Sequence, residues 1–267
     1  MNKIIITCTR KKVLRLLCLS VLTMAAGCAT GLQKRLPGTT VDPQAVLERL
    51  ERLSAGLVTD KQIFRVRLLD KGRTFSGDGA LVYRAPDTLQ MSIYGPPFST
   101  LWIQLLSRGD SITVVLPKEN RVLRAVRSKG TVVGELALSR GLTDGEFLGG
   151  VTGIYQVERF MQPGMRMTAA EQGRLLRLRL TDDRVVCEFV FDDVLEAVVH
   201  FTRYENSKLV REIIRSDFKE IQGMQRAGKT VYRDFIEDRE ITVLVGKEVI
   251  NLDLEDKQFE ITVPRGF

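Results

Sequence analysis

Apolar positions recur along this chain with two different periods, and the change from one to the other marks where a helix gives way to a sheet. Val46, Leu50, Leu53 and Leu57 fall at i, i+4, i+7 and i+11, one stripe of an α-helix, with Glu48, Arg49, Glu51 and Arg52 on the opposite face. Asp42 and Pro43 mark its start, because an aspartate caps the first turn and a proline there loses no hydrogen bond. The period then drops to two. In "KQIFRVRLLD" Phe64, Val66 and Leu68 alternate with Ile63 and Arg65, and "DGALVYRAP" and "DTLQMSIYGPP" continue with Leu89, Met91 and Ile93 on one side. "STLWIQLLSRGDSITVVLPKENRVLRAV" predicts three strands joined by turns at Arg108-Gly109-Asp110 and Pro117 to Asn120. Leu101, Ile103 and Leu105 share a face there, as do Ile112, Val114 and Leu116.

The alternation stops from Thr131 to Gly150, where Thr143 and Glu146 have the spacing of a capping box. One or two short helices are expected there, lying across the open face of the sheet. Strands are expected again from Tyr155, with hairpins about Asp182-Asp183 and Asn206-Ser207 and two more strands in "DREITVLVGKEVINLDLEDKQFEITVP". About a dozen strands, two or three helices and no dividing linker predict one domain over residues 42–267. Twist accumulates in an antiparallel sheet this long and its edges need cover. The expected fold is therefore mainly β within the α+β class: a single antiparallel curved sheet forming a barrel or half-barrel, covered by two or three helices.

Ahead of this domain lies a segment of a different kind. Lys3, Arg10, Lys11, Lys12 and Arg15 all precede Cys28 with no acid among them, and they account for five of the seven excess positive charges of the 267-residue chain. The remaining +2, with acids and bases interspersed, makes electrostatic binding to nucleic acid unexpected. Val13 to Ala26 is apolar but broken by Arg15 and shorter than the roughly 20 residues of a spanning helix. A cationic stretch, an apolar stretch and a run of small residues make a signal sequence. "MAAGC" at Met24 to Cys28 resembles the lipobox of bacterial lipoproteins. That resemblance implies cleavage after residue 27 and a Cys28 carrying diacylglycerol and N-acyl chains, with no other cofactor. It also implies, with Ala29 following, lodging on the periplasmic face of the outer membrane in a double-membraned bacterium. Ala29 to Val41, with Gly31, Pro37 and Gly38, reads as a tether completing segment 28–41. Its 13 residues would reach about 45 Å extended and average nearer 20 Å as a coil. Cys187, in "RVVCEFVF", is left as a core thiol, so no internal disulfide is expected.

Catalytic chemistry finds little support. His200, the one histidine, alternates with Val199 and Phe201 and has no identifiable nucleophile, orienting group or oxyanion donors around it. Asp182-Asp183 and Asp192-Asp193 stand at strand ends, where aspartate favours turns, and Gly77-Asp78-Gly79 precedes a strand rather than linking strand to helix. No enzyme and no metal site are expected.

Two stretches, "GDGALVYRAPDTLQMSIYGPPFSTLWIQL" and "VINLDLEDKQFEITVPRGF" with Phe259, Pro264 and Gly266, together with the order of leader, lipobox, helix and meander, are similar to the lipoprotein-localisation superfamily of the LolA and LolB type, and within it to LolB-type outer-membrane lipoproteins. The resemblance implies a half-barrel whose concave face holds the acyl chains of lipoproteins or lipids, a role in inserting lipoproteins into the outer membrane, a periplasmic carrier protein as partner, and a monomer. Leu89, Met91, Ile93, Leu101, Ile103, Leu105, Ile112, Val114 and Leu116 are the expected lining, although alternation alone equally describes side chains packed against helices. Pro97 and Phe98, in "IYGPPFSTLW", correspond to a loop that presents an apolar residue to the bilayer in the family, and packing of Phe98 beneath the helices is the alternative. A different function also fits: an envelope scaffold with a filled core that holds a partner at the membrane.

Overall fold

The computed structural model describes residues 38–96, 100–126 and 143–261. The leader, Cys28, Pro97, Phe98, Pro264 and Gly266 lie outside them. The first strands are β1 (Thr39–Val41), β2 (Thr59–Asp70), β3 (Arg73–Arg84), β4 (Thr88–Gly95), β5 (Thr100–Arg108), β6 (Ser111–Leu116) and β7 (Arg121–Val126). The second half contributes β8 (Arg166–Gln172), β9 (Leu175–Thr181), β10 (Val185–Asp192), β11 (Ala197–Glu205), β12 (Lys208–Ile221), β13 (Met224–Asp234) and β14 (Arg239–Ile250). All pair antiparallel in one sheet, in the order β1-β8-β9-β10-β11-β12-β13-β14-β2-β3-β4-β5-β6-β7. The two ends, β1 and β7, are not paired with one another, so the sheet is open. Helices α1 (Pro43–Gly56) and α2 (Asp144–Thr152) lie on it, α1 over β8 and β9 and α2 over β13.

Local chemistry sets these elements. The Asp42 carboxylate accepts from the Gln44 N–H at 3.0 Å and Pro43 opens α1, which buries Val46 and Leu50. Thr143 and Glu146 form the expected capping box at the start of α2, with the Thr143 N–H donating to Glu146 Oε2 at 2.8 Å. The hairpins β2–β3, β11–β12 and β12–β13 turn on two residues each, Lys71-Gly72, Asn206-Ser207 and Gln222-Gly223, all with positive φ. That is the signature of the type I′ turn, whose twist matches the strands it joins. Asp182 and Asp192 each accept two backbone N–H groups of the turn that follows. Their role is to shape turns, as their places at strand ends imply.

The concave face carries the core. Tyr155, Phe160, Phe189 and Phe201 form an aromatic cluster with ring centroids 5.0–6.3 Å apart, within the range of favourable ring pairs. Cys187 is buried beside it in sequence, and burial pushes its thiol up to about 12. Outward-facing positions are charged: Glu188 takes Arg177 and Arg179, and Glu212 takes Arg233 and His200, the last at 3.0 Å. His200 is thus part of a cross-strand ladder of polar side chains.

Four differences from the sequence expectation have physical causes. Thr39–Val41, read as tether, pair with Ala169–Glu171 of β8 and cover that edge. Strands do not resume at Tyr155: residues 154–165 are irregular apart from a single 3₁₀ turn, Val157–Arg159, and β8 begins at Arg166. The apolar Tyr155, Val157 and Phe160 in that segment plug the sheet rather than extend it. β13 shows no clear period of two in the sequence because, between the inward Met224 and Tyr232, the residues of the same parity are Arg226, Gly228 and Thr230. The final stretch supplies one strand, β14, and a 3₁₀ turn, Asp256–Phe259, among the described residues. Phe259 packs with Val82, Leu254 and Leu106 in a small separate cluster, beneath the Arg84 guanidinium at 4.7 Å from its ring.

Candidate functional site

Alternate residues of β2 face inward, and their chemistry changes along the strand: Asp60, Gln62, Phe64, Val66. β14 follows the same gradient. A register shift between Val245 and Lys247 lets Glu248 share the inward face with Ile241, Val243 and Val245. From β3 and β4 come Leu81, Met91 and Ile93, and α2 closes the space with Phe147, Gly150 and Val151. Gly79 stands opposite Phe64 because a Cβ there would sit 2.2 Å from the Phe64 ring. The result is a cavity of about 70 Å³ with aliphatic and aromatic walls and a polar inner end. Ligand pockets for whole small molecules run to roughly 300–1,000 Å³. This cavity is smaller than that, and α2 is the element that covers it.

The polar end is an ion cluster. Arg226 donates from Nη2 to Asp60 Oδ2 at 2.7 Å and from Nε to Glu248 Oε1 at 2.6 Å, and Gln62 Nε2 reaches Asp60 Oδ2 at 2.7 Å. All four side chains are buried. Burial pushes the Asp60 carboxyl up to about 7 against the pull of Arg226, helped by the negative charge of Glu248. A carboxyl raised in the folded state contributes stability that is fully present below its unfolded value near 4 and is lost as pH rises through about 7. Asp60→Asn is therefore expected to gain on the native chain as pH rises from 4 to 8, by on the order of 3 kcal/mol. Urea unfolding midpoints at both pH values check this, and a gap independent of pH contradicts it.

Beyond this cluster lies a second, roomier cleft of about 350 Å³. Its walls come from the last turns of α1 (Arg52, Leu53, Gly56), the β10–β11 and β12–β13 turns, and Gly153-Ile154 after α2. Arg215 and Arg226 border both spaces. Among the described residues, no three His, Cys, Asp or Glu side chains come together as metal ligands.

Of the nine residues singled out from alternation, Met91 and Ile93 line the apolar cavity. Leu89, Leu105, Ile112 and Val114 are buried in the continuous core, and Leu101, Ile103 and Leu116 are half-buried; none of these seven borders either space. Phe64, Val66, Ile241 and Val243 were not singled out. The alternation in β2 does mark Phe64 and Val66 as a face, but the pairing of β2 with β14 joins residues about 180 positions apart and leaves no local trace.

This open sheet with its two described helices matches the LolA-like half-barrel fold. Three solved structures share it: a DUF1329 family protein from Desulfovibrio piger (TM-score 0.63, 13% identity, 82% of this chain and 98% of that one); a putative outer membrane lipoprotein-sorting protein domain from Vibrio parahaemolyticus (0.59, 14%, 82% and 97%); and a LolA superfamily protein from Nitrosomonas europaea (0.53, 14%, 83% and 98%). At these identities the likeness is one of fold. Neither a protein-family model nor a curated protein sequence matches the chain.

Proposed function

We propose that this protein binds acyl chains of lipids or lipoproteins on its concave face, and serves in their sorting to the outer membrane while anchored there through acylated Cys28. It is a binding protein, not an enzyme, and needs no cofactor. The observation that carries the reading is the cavity between α2 and the sheet, walled by Phe64, Val66, Leu81, Met91, Ile93, Phe147 and Val151. The superfamily resemblance and the description of the Vibrio structure as a lipoprotein-sorting domain agree with it. About ten methylenes buried at ~0.8 kcal/mol each give ~8 kcal/mol, the scale of a micromolar Kd, against which lifting α2 must be set. α2 suits that task because it is only nine residues long and an isolated helix of that length has little stability of its own.

An environment-sensitive apolar fluorophore, displaced by a diacylated lipopeptide, tests this. Binding to the native protein with at least tenfold weakening in Val151→Trp, whose side chain fills the cavity from the helix side, is expected. One specific observation favours a second reading, the filled scaffold: the cavity is small. In that case neither fluorophore nor lipopeptide binds the native protein.

A further inference from the structure

Arg215 is the anomaly of the concave face. It projects inward from β12, is 7% exposed, and borders both the apolar cavity and the 350 Å³ cleft. The other buried arginines, Arg211 and Arg226, each hold a buried carboxylate at 2.7 Å. Among the described residues Arg215 holds none. Among the described residues its one hydrogen bond goes from Nη1 to the Val198 carbonyl at 3.1 Å and its buried Nε has no partner, while its guanidinium lies 5.5 Å from the centre of the Phe218 ring. Burying a guanidinium without a counter-ion is strongly unfavourable.

The neighbouring charges do not supply that counter-ion. Asp60 and Glu248 are engaged by Arg226, the buried Glu146 on the cavity wall is held by the Thr143 N–H and lies 3.5 Å from Arg203, Asp193 pairs with Arg49, and Arg52 and Glu196 stand exposed beside the cleft. The backbone makes room for the guanidinium: Gly153, at φ +77°, faces Arg215 so closely that a Cβ would lie 2.1 Å from Nη2. The Tyr155 hydroxyl, also buried without a partner among the described residues, lies within the electrostatic reach of the same side chain.

We propose that Arg215 receives the anionic head of an amphiphile, a carboxylate or a phosphate, whose tail enters the apolar cavity beside it. A guanidinium offers a planar fork of donors that fits either group, and the cleft gives the head the space that the apolar cavity lacks. The inference rests on the acyl-binding reading and adds that the ligand carries a negative charge at one end.

The test is displacement of a neutral apolar fluorophore from the full-length protein by dodecanoate, dodecyl phosphate and dodecanol, which share one tail. At least one anion is expected to bind about tenfold or more tightly than the alcohol, and Arg215→Gln to remove that difference. The stronger anion identifies the head as a fatty-acid carboxylate or a lipid phosphate. Equal affinities of all three for the native protein overturn the proposal and leave the acyl-binding reading standing. An anion preference that persists in a folded Arg215→Gln overturns it too. Failure of all three to displace the fluorophore overturns both. Comparison of the three ligands on the native protein needs no variant, so it decides the matter even if Arg215→Gln does not fold.

Discussion

Replacing Arg226 by methionine is expected to cost about 3–5 kcal/mol of stability, a large part of the roughly 5–15 kcal/mol that holds a typical domain folded. The magnitude follows from what the change leaves behind. Asp60 and Glu248 are buried, each bonded to Arg226 within 2.7 Å, and among the described residues neither forms an ion pair with another cation. Two carboxylates without a counter-charge must protonate or draw in water. The triple variant Arg226→Met, Asp60→Asn, Glu248→Gln removes the stranded charges and is expected to recover most of the loss, since a buried ion cluster contributes little net stability over a neutral replacement. Urea melts at pH 7 measure both. A single variant within 1 kcal/mol of the native protein, or a triple variant as unstable as the single, contradicts this picture of the cluster.

Phe189→Ala carries the second large effect, about 3–5 kcal/mol. Phe189 is fully buried and meets Tyr155, Phe160 and Phe201 with ring centroids at 5.7, 5.0 and 5.1 Å. Its removal opens a void that rigid neighbouring rings cannot fill. The consequence extends beyond the core. Tyr155 and Phe160 belong to the irregular segment directly after α2, so the aromatic cluster holds the C-terminal end of the helix that closes the cavity. Loss of the ring is expected to loosen α2 as well as lower global stability. Cys187, two residues away and buried, gives a direct readout: its alkylation, located by peptide mass spectrometry, is expected to accelerate with the population of the open form, about tenfold for each 1.4 kcal/mol lost. Unchanged alkylation together with an unchanged urea midpoint contradicts the assignment.

Much of this architecture is legible in the sequence because it depends on near neighbours. The stripe of Val46, Leu50 and Leu53, the capping box of Thr143 and Glu146, and the turns at Asp182, Asn206-Ser207 and Arg108 to Asp110 are all fixed within a few residues. Curvature follows from strand number and twist. The site is less legible, since it is made where β13, β14, β2 and β3 lie side by side, and that adjacency closes a loop through nearly the whole domain. β13 illustrates the difficulty: Arg226 and Thr230 face inward because they serve the ion cluster and the cavity wall, and so they erase the alternation that would have revealed the strand. A trace was present nonetheless. Asp60 and Gln62 share the parity of Phe64 and Val66, and polar residues on the buried side of a strand mark a place where something other than packing is at work. The nine aliphatic residues chosen from alternation belong largely to the core for the opposite reason: uniform apolar alternation describes filled space as well as it describes a cavity.

The account turns on an acyl chain entering between α2 and the strands β2, β3, β4 and β14. The most direct measurement is the crystal structure of the protein with a terminally brominated fatty acid, in which anomalous scattering locates the tail. The expected result is a bromine peak within van der Waals contact of Met91, Ile93 or Val243, with α2 displaced outward from its position over β13. A peak confined to the outer face of the sheet, or an unmoved α2 over an unoccupied 70 Å³ cavity at saturating ligand, contradicts it.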